Sequence, residues 1–370
     1  MFGTRDNGPL TKDGAGTLTL ATSRMTDETV LSEGTLAFSG TASIDWTKLT
    51  FGTNPAKPVT LRMEQNATIA NRPAQWYIGN DANITSTIVK AGGDWTLNNV
   101  YLACAAGANT SFIHENGTMT ISITVDLGKV DTASYTYFEV AGGTVTHNGY
   151  IHMGSSSPAT MTVKTGAKYE STEPSYGIIV AGNASATLNV NGGEVYLLGP
   201  INMCYYGNKN PVGKVNVTDD GVITCERILL NGKNNGGSAS VTLDGGTLRA
   251  NKDHTAFIPN KNNLTVTAGA NGGTIDTNGK DITIARTISG TGSLTFKGGG
   301  KARFTAKPSY TGKTVVEIGT TVYVAEQSYL ASGYEVVVPE GAPKWAKGVR
   351  VDNNEIVLDV ITLGTYIIVK

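Results

Sequence analysis

The residues best suited to chemistry sit in short polar loops. Lys252, Asp253 and His254 follow one another directly, and Asp219, Asp220, Glu226 and Arg227 precede them by about one repeat. Carboxylates beside basic groups could serve as general acid and base on a polysaccharide, in a lyase or a hydrolase. Such chemistry needs paired carboxylates, or a base beside a neutralising partner. The reading requires Asp219, Arg227, Lys252, Asp253 and His254 to gather on one outward surface that crosses several turns of chain. The plainer reading of the same charges is solvated loops.

Other candidates are weaker. His147 and His152 flank Asn148, Gly149 and Tyr150, but two histidines without further ligands do not make a metal site. Asp219, Asp220 and Asp244 fall at turns without the GGxGxD spacing of calcium-binding repeats. Cys104, Cys204 and Cys225 are too few for a disulfide framework and wrongly spaced for zinc, so they read as small buried thiols. No metal and no cofactor is expected.

The aromatics suit binding better than catalysis. Trp76, Tyr77, Tyr150, Tyr205 and Tyr206, with Tyr101 and Tyr176 among others, recur along the chain. Outward rings in stacked turns could lie against sugars or anchor a protein partner, and inward rings would fill a core. In adjacent pairs such as Tyr205-Tyr206, alternation sends one ring each way.

These side chains need a scaffold, and the stretch Ala186 to Leu198, ATLNVNGGEVYLL, shows its unit. Leu188 and Val190 alternate with polar residues, as do Val195 and Leu197 beyond a two-glycine corner. This pattern predicts strand, corner, strand. The corner recurs with its second position at Gly93, Gly117, Gly143, Ala167, Gly193, Gly221, Gly246 and Gly273, at intervals of 24, 26, 24, 26, 28, 25 and 27 residues. A second series, short apolar strands each ending in a glycine, runs through Gly79, Gly107, Gly128, Gly154, Gly182, Gly207 and Gly232. Two interleaved series predict about three short strands per turn. Turns of this length suit a β-solenoid, are too short for a propeller blade, and lack the leucine register of leucine-rich repeats. The expected fold is an all-β right-handed parallel β-helix. Residues 1–73 are read as first coils or cap, 74–324 as regular coils and 325–370 as a C-terminal β cap. The recurrence of the glycine corner, with no following helix or lysine, argues against a phosphate-binding loop.

The bulk numbers agree. The 370 residues carry a net charge of -1, 16% charged residues and 46 glycines, which gives no electrostatic argument for nucleic acid or an anionic membrane. No apolar run approaches a membrane span, and the opening MFGTRDNGPL shows no charged-then-apolar leader.

The stretch GTIDTNGKDITIARTISGTGSLTFKGGGKARFTAKPSYTGKTVVEIGTTVYVA resembles the autotransporter-associated β-strand repeat of bacterial surface proteins. Gly292, Leu294, Thr295, Gly298, Gly300, Tyr310, Thr311, Gly312, Thr314, Val316, Gly319 and Thr320 fit its pattern. LTKDGAGTLTL and VLSEGTLAF near the start look like a degenerate second copy, and the middle turns are similar to passenger repeats. The resemblance implies a β-helix passenger segment, secreted or displayed at a bacterial surface, and its repeats are structural. The expectation is therefore a non-enzymatic stalk or adhesin, whose partners are host or environmental glycans or surface proteins. Self-association through solenoid ends or faces is also expected. A polysaccharide-active enzyme and a non-catalytic glycan-binding module are the alternatives.

Overall fold

Period-two alternation becomes strand wherever one side of the backbone can be buried against neighbouring turns. The computed structural model describes residues 9–70, 73–133, 135–206, 209–230, 236–317 and 319–324, together with the strand backbones 336–337, 346–352 and 355–360. Over these residues the chain forms an all-β parallel solenoid of about 25 residues per turn. Among the described residues the sole helical piece is a 3-10 turn at Trp46–Lys48, where Asp45 caps the Thr47 amide.

Each turn contributes to three faces. The first is a twelve-stranded sheet with strands such as Asn109–His114, Ala186–Asn191 and Ser238–Asp244. The second follows the glycine corner, as in Gly143–His147, Glu194–Leu197 and Thr247–Ala250. The third holds Gln75–Ile78, Tyr150–Met153, Ile178–Val180, Ile201–Met203 and Ile228–Leu230. It goes on through His254–Ile258, Asp281–Ile284, Lys301–Phe304 and Thr321–Val324. Asp94–Leu102 and Thr118–Leu127 are longer because each spans the second and third faces without a break. Beyond Val324, Val336–Val337 still pairs parallel with Thr314–Val316, and the antiparallel pairing comes after it. Glu355–Val360 pairs antiparallel with Thr321–Val324 and with Ala346–Asp352. The rest of the expected cap lies outside the described residues.

The first-face register runs Phe38, Met63, Lys90, His114, Val140, Val163, Val190, Val217, Leu243 and Ala268. Every one of these side chains is buried, and each large aliphatic adds about 1.5–3 kcal/mol by leaving water. Lys90 and His114 interrupt the apolar column. The Lys90 ammonium donates to the carbonyls of Gly93 and Asn116, both at 2.7 Å, and burial pushes its pKa down to about 8. A second ladder of rings runs along the axis. Trp46 stacks on Trp76 at 4.2 Å, and Trp95, Phe112 and Phe138 follow at centroid spacings of 5.9, 6.4 and 5.8 Å.

The two-glycine corners stack in the register expected of them. Gly93, Gly117 and Gly143 have φ of 72°, 77° and 65°, and a Cβ on Gly117 or Gly143 would meet the preceding glycine's carbonyl oxygen at 2.2 Å. Both the positive φ and the contact exclude a side chain there. The second corner series needs correction. The residues that turn left-handed after the third-face strands are Gly79, Ala103, Gly128, Gly154, Ala181 and Cys204, with φ between 53° and 70° or at 77° for Gly128. Gly107 and Gly182 are not the equivalent positions, and Gly207 and Gly232 lie outside the described residues. Alanine and cysteine occupy the left-handed conformation at about 1–2 kcal/mol each, so glycine alone does not mark this corner.

Candidate functional site

Strand alternation decides which aromatics reach the surface. Trp76 and Tyr77 are neighbours in one strand, so they point to opposite sides. Trp76 is 0% exposed and stacked in the axial ring ladder, which removes it from the candidate binding residues. Tyr77 faces out, is 47% exposed, and stacks on Tyr101 with centroids 5.0 Å apart. These two rings begin an outward row on the third face that continues in register through Asp126, His152, Ile179 and Asn202.

The row changes character along its length. Asp126 is 6% and His152 7% exposed, and Ile179 and Asn202 are more buried still, although all four point away from the solenoid interior. Loops fold over them. Asn202 Nδ2 donates to the Tyr176 carbonyl at 2.9 Å, and Tyr206 lies 5.4 Å from the His152 ring. Tyr150, Tyr176, Tyr205 and Tyr206 then form a contiguous set, with successive centroids 5.6, 5.8 and 4.8 Å apart. The expectation that alternation would split Tyr205 from Tyr206 fails, because both follow the left-handed Cys204 in a bend. They meet edge to face on the outside. Burial raises the pKa of Tyr101, Tyr205 and Tyr206, so all three remain neutral donors at ordinary pH.

Beneath this cover lies a charged group. Asp126 accepts from Lys129 at 2.7 Å and meets His152 Nδ1 at 3.4 Å, and Lys129 sits over the Tyr101 ring at 4.8 Å. Burial alone would raise the Asp126 pKa, but the bonds from His152 and Lys129 outweigh it and the carboxyl titrates below its ordinary value. His152 Nε2 has no hydrogen-bond partner and abuts Gly182, where an added Cβ would fall 2.0 Å from it. Gly182→Ala is therefore expected to displace the imidazole and lower stability by about 1–3 kcal/mol. Thermal denaturation followed by tyrosine fluorescence checks this, and an unchanged melting temperature would show that His152 does not need that space.

The histidines do not form a metal site. His147 lies inside the solenoid with Nδ1 2.8 Å from the Tyr169 hydroxyl, whereas His152 lies outside on the third face. Among the described residues no three His, Cys, Asp or Glu side chains converge as metal ligands. Asp244 Oδ1 instead accepts the Asn271 amide at 2.7 Å, and Asp219 and Asp220 hold left-handed corner conformations. Cys204 and Cys225 are buried free thiols, and burial pushes the half-buried Cys104 up to about 11.

The polar loop residues converge in part. Glu226 is the centre, with Lys252 Nζ at 2.9 Å and Arg227 Nε and His254 Nε2 each at 3.8 Å. Asp219 stays at its corner, where it accepts from Thr218 Oγ1 at 3.0 Å. Asp253 turns to the next strand and accepts the Asp281 amide at 2.8 Å. His254 Nδ1 accepts the Ala256 amide at 2.8 Å, so its proton resides on Nε2, facing Glu226. Burial and the Arg227 charge lower the His254 pKa. The ion-paired set thus holds one carboxylate, tied to cations, rather than the pair that acid–base cleavage of a glycosidic bond uses.

Sequence reasoning did not single out Asp126, Lys129, Lys301, Arg303 or Tyr323. Their signal was register. Asp281, Lys301 and Thr321 are spaced by 20 residues, as are Thr283, Arg303 and Tyr323, a shorter period than the middle turns use. The chain matches no family model, no curated protein and no solved structure.

Proposed function

We propose that this chain is a non-enzymatic scaffold, coiled right-handedly in keeping with the general crossover preference, whose tyrosine-lined third face binds glycans. On this reading it works as an adhesin-like segment of a secreted or bacterial cell-surface protein of the autotransporter-repeat kind, as the 273–325 resemblance implies. The observation that carries the reading is the outward aromatic set on one face, from Tyr77 and Tyr101 to Tyr150, Tyr176, Tyr205 and Tyr206. Tyr176 is 38% exposed and held by neighbouring rings, so little side-chain entropy is lost when a sugar packs on it. Tyrosine hydroxyls and the exposed Lys129 ammonium lie within the same surface and supply polar contacts, with the buried Asp126 holding Lys129 in place.

A panel of neutral and acidic polysaccharides tests the proposal. The Tyr77→Ala, Tyr176→Ala double variant is expected to bind about tenfold or more weakly, the usual effect of truncating aromatic anchors, with its melting temperature nearly unchanged because both rings are exposed. Equal binding by wild type and variant would sink the tyrosine face as the binding surface. A wild type that binds no member of the panel would leave only the stalk role.

A further inference from the structure

The third face continues past the tyrosines into a groove of about 400 Å³ lined by Asp253, His254, Thr283, Lys301, Arg303 and Tyr323. The groove exists because the strand His254–Ile258 bulges. His254 pairs with Ile282 and Ile258 with Ile284, so three residues stand opposite one. Bulges of this kind redirect side chains at a sheet surface. The His254 imidazole braces the bulge through the Ala256 amide. Below it, Thr283, Arg303 and Tyr323 occupy adjacent strands in one outward row.

The groove carries both signs of charge, and most of its charged groups have a partner within the protein. Asp281 is 3.4 Å from Lys301, and Asp253 accepts the Asp281 amide. Arg303 differs. Its guanidinium lies 4.7 Å over the Tyr323 ring, and it makes no ion pair among the described residues. The ring packs against the guanidinium and limits its motion. The fork of N–H groups on a guanidinium matches a carboxylate through two parallel hydrogen bonds.

We infer that this groove is a subsite for the carboxylate of an acidic sugar, with Arg303 as the carboxylate receptor and Tyr323 as its platform. The inference rests on the glycan reading of the third face and names the class of glycan, a linear polymer bearing uronic-acid carboxylates. Continuity of the face supports a polymer. Ile228–Leu230 ends one sheet and His254–Ile258 begins the next without strand pairing between them, but the two strands are in contact. Five strand steps separate Ile178–Val180 from Lys301–Phe304, or about 24 Å at the usual spacing. One chain laid along the solenoid could therefore meet both Tyr176 and Arg303.

Polygalacturonate and neutral galactan are the probes, titrated against the full chain at low and high salt. Wild type is expected to prefer polygalacturonate by about tenfold or more, in line with a charge-assisted bidentate contact. Arg303→Gln should abolish that preference while galactan binding and the melting temperature stay the same. Arg303 is exposed, so the substitution leaves the core untouched. Polygalacturonate binding that Arg303→Gln does not weaken overturns the subsite and leaves the tyrosine reading standing. Galactan binding that survives Tyr176→Ala counts against the tyrosine reading instead. Polyglutamate bound as tightly as polygalacturonate overturns the assignment to a saccharide, and failure of both polysaccharides to bind removes both proposals.

Discussion

Trp76→Ala is expected to destabilise the solenoid by about 3–5 kcal/mol, the range for removing a large buried aromatic. The indole is fully buried between Trp46 and Trp95, so truncation opens a void that rigid rings on either side cannot fill. Turns in a solenoid contact only their neighbours, so the loss should be local first. Hydrogen exchange is expected to accelerate most in the strands from Val59–Met63 to Asn109–His114 and least near Ser238–Asp244. Denaturant unfolding gives the global figure. A loss below about 1 kcal/mol would mean that the ring ladder does not hold these turns together.

The second large effect is acid sensitivity. His114 and His147 are completely buried, and burial depresses both to about 4, with the Lys90 charge adding to the effect at His114. The folded state therefore keeps both rings neutral where the unfolded chain protonates them near 6.5. Above 6.5 neither ring penalises folding. As the pH falls from 6.5 towards 4 the unfolded chain binds more protons, and stability drops by up to about 3 kcal/mol per histidine. Below about 4 the loss is complete, because both states are then protonated. His114→Leu should remove roughly half of this pH dependence. The aliphatic column from Val140 to Leu243 shows that leucine suits the position, and the change also removes a ring without a well-formed hydrogen bond. Unfolding free energies measured across this range check the prediction. An unaltered slope in the variant would mean that His114 does not set the acid limit.

Much of the architecture was legible from periodicity. Alternation gave strands, and the two-glycine series gave the turn length, because at corners such as Gly117 and Gly143 backbone packs against backbone and leaves no room for a side chain. The second corner series was only half legible. Ala103, Ala181 and Cys204 adopt the left-handed conformation without the glycine that advertises it. The candidate sites were legible as residue types but not as groups. Glu226 joined Arg227, Lys252 and His254, while Asp219 and Asp253 went elsewhere, because residues one turn apart meet only when the register of both turns is known. Arg303 and Tyr323 lay in a stretch whose 20-residue spacing departs from the middle of the chain, so a single period could not align them.

The sequence by itself determined that this chain stacks as a β-solenoid, since period-two burial repeated every twenty-odd residues has few other ways to hide its apolar rows. Only the tertiary structure decided that Trp76 is interior and Tyr77 exterior, that loops bring Tyr206 against His152 and Tyr176 against Asn202, and that a bulge at His254–Ile258 opens a groove beside Arg303. Those outcomes depend on loop paths and strand register between turns. They arise from contacts between residues far apart in the chain, which local pattern does not encode.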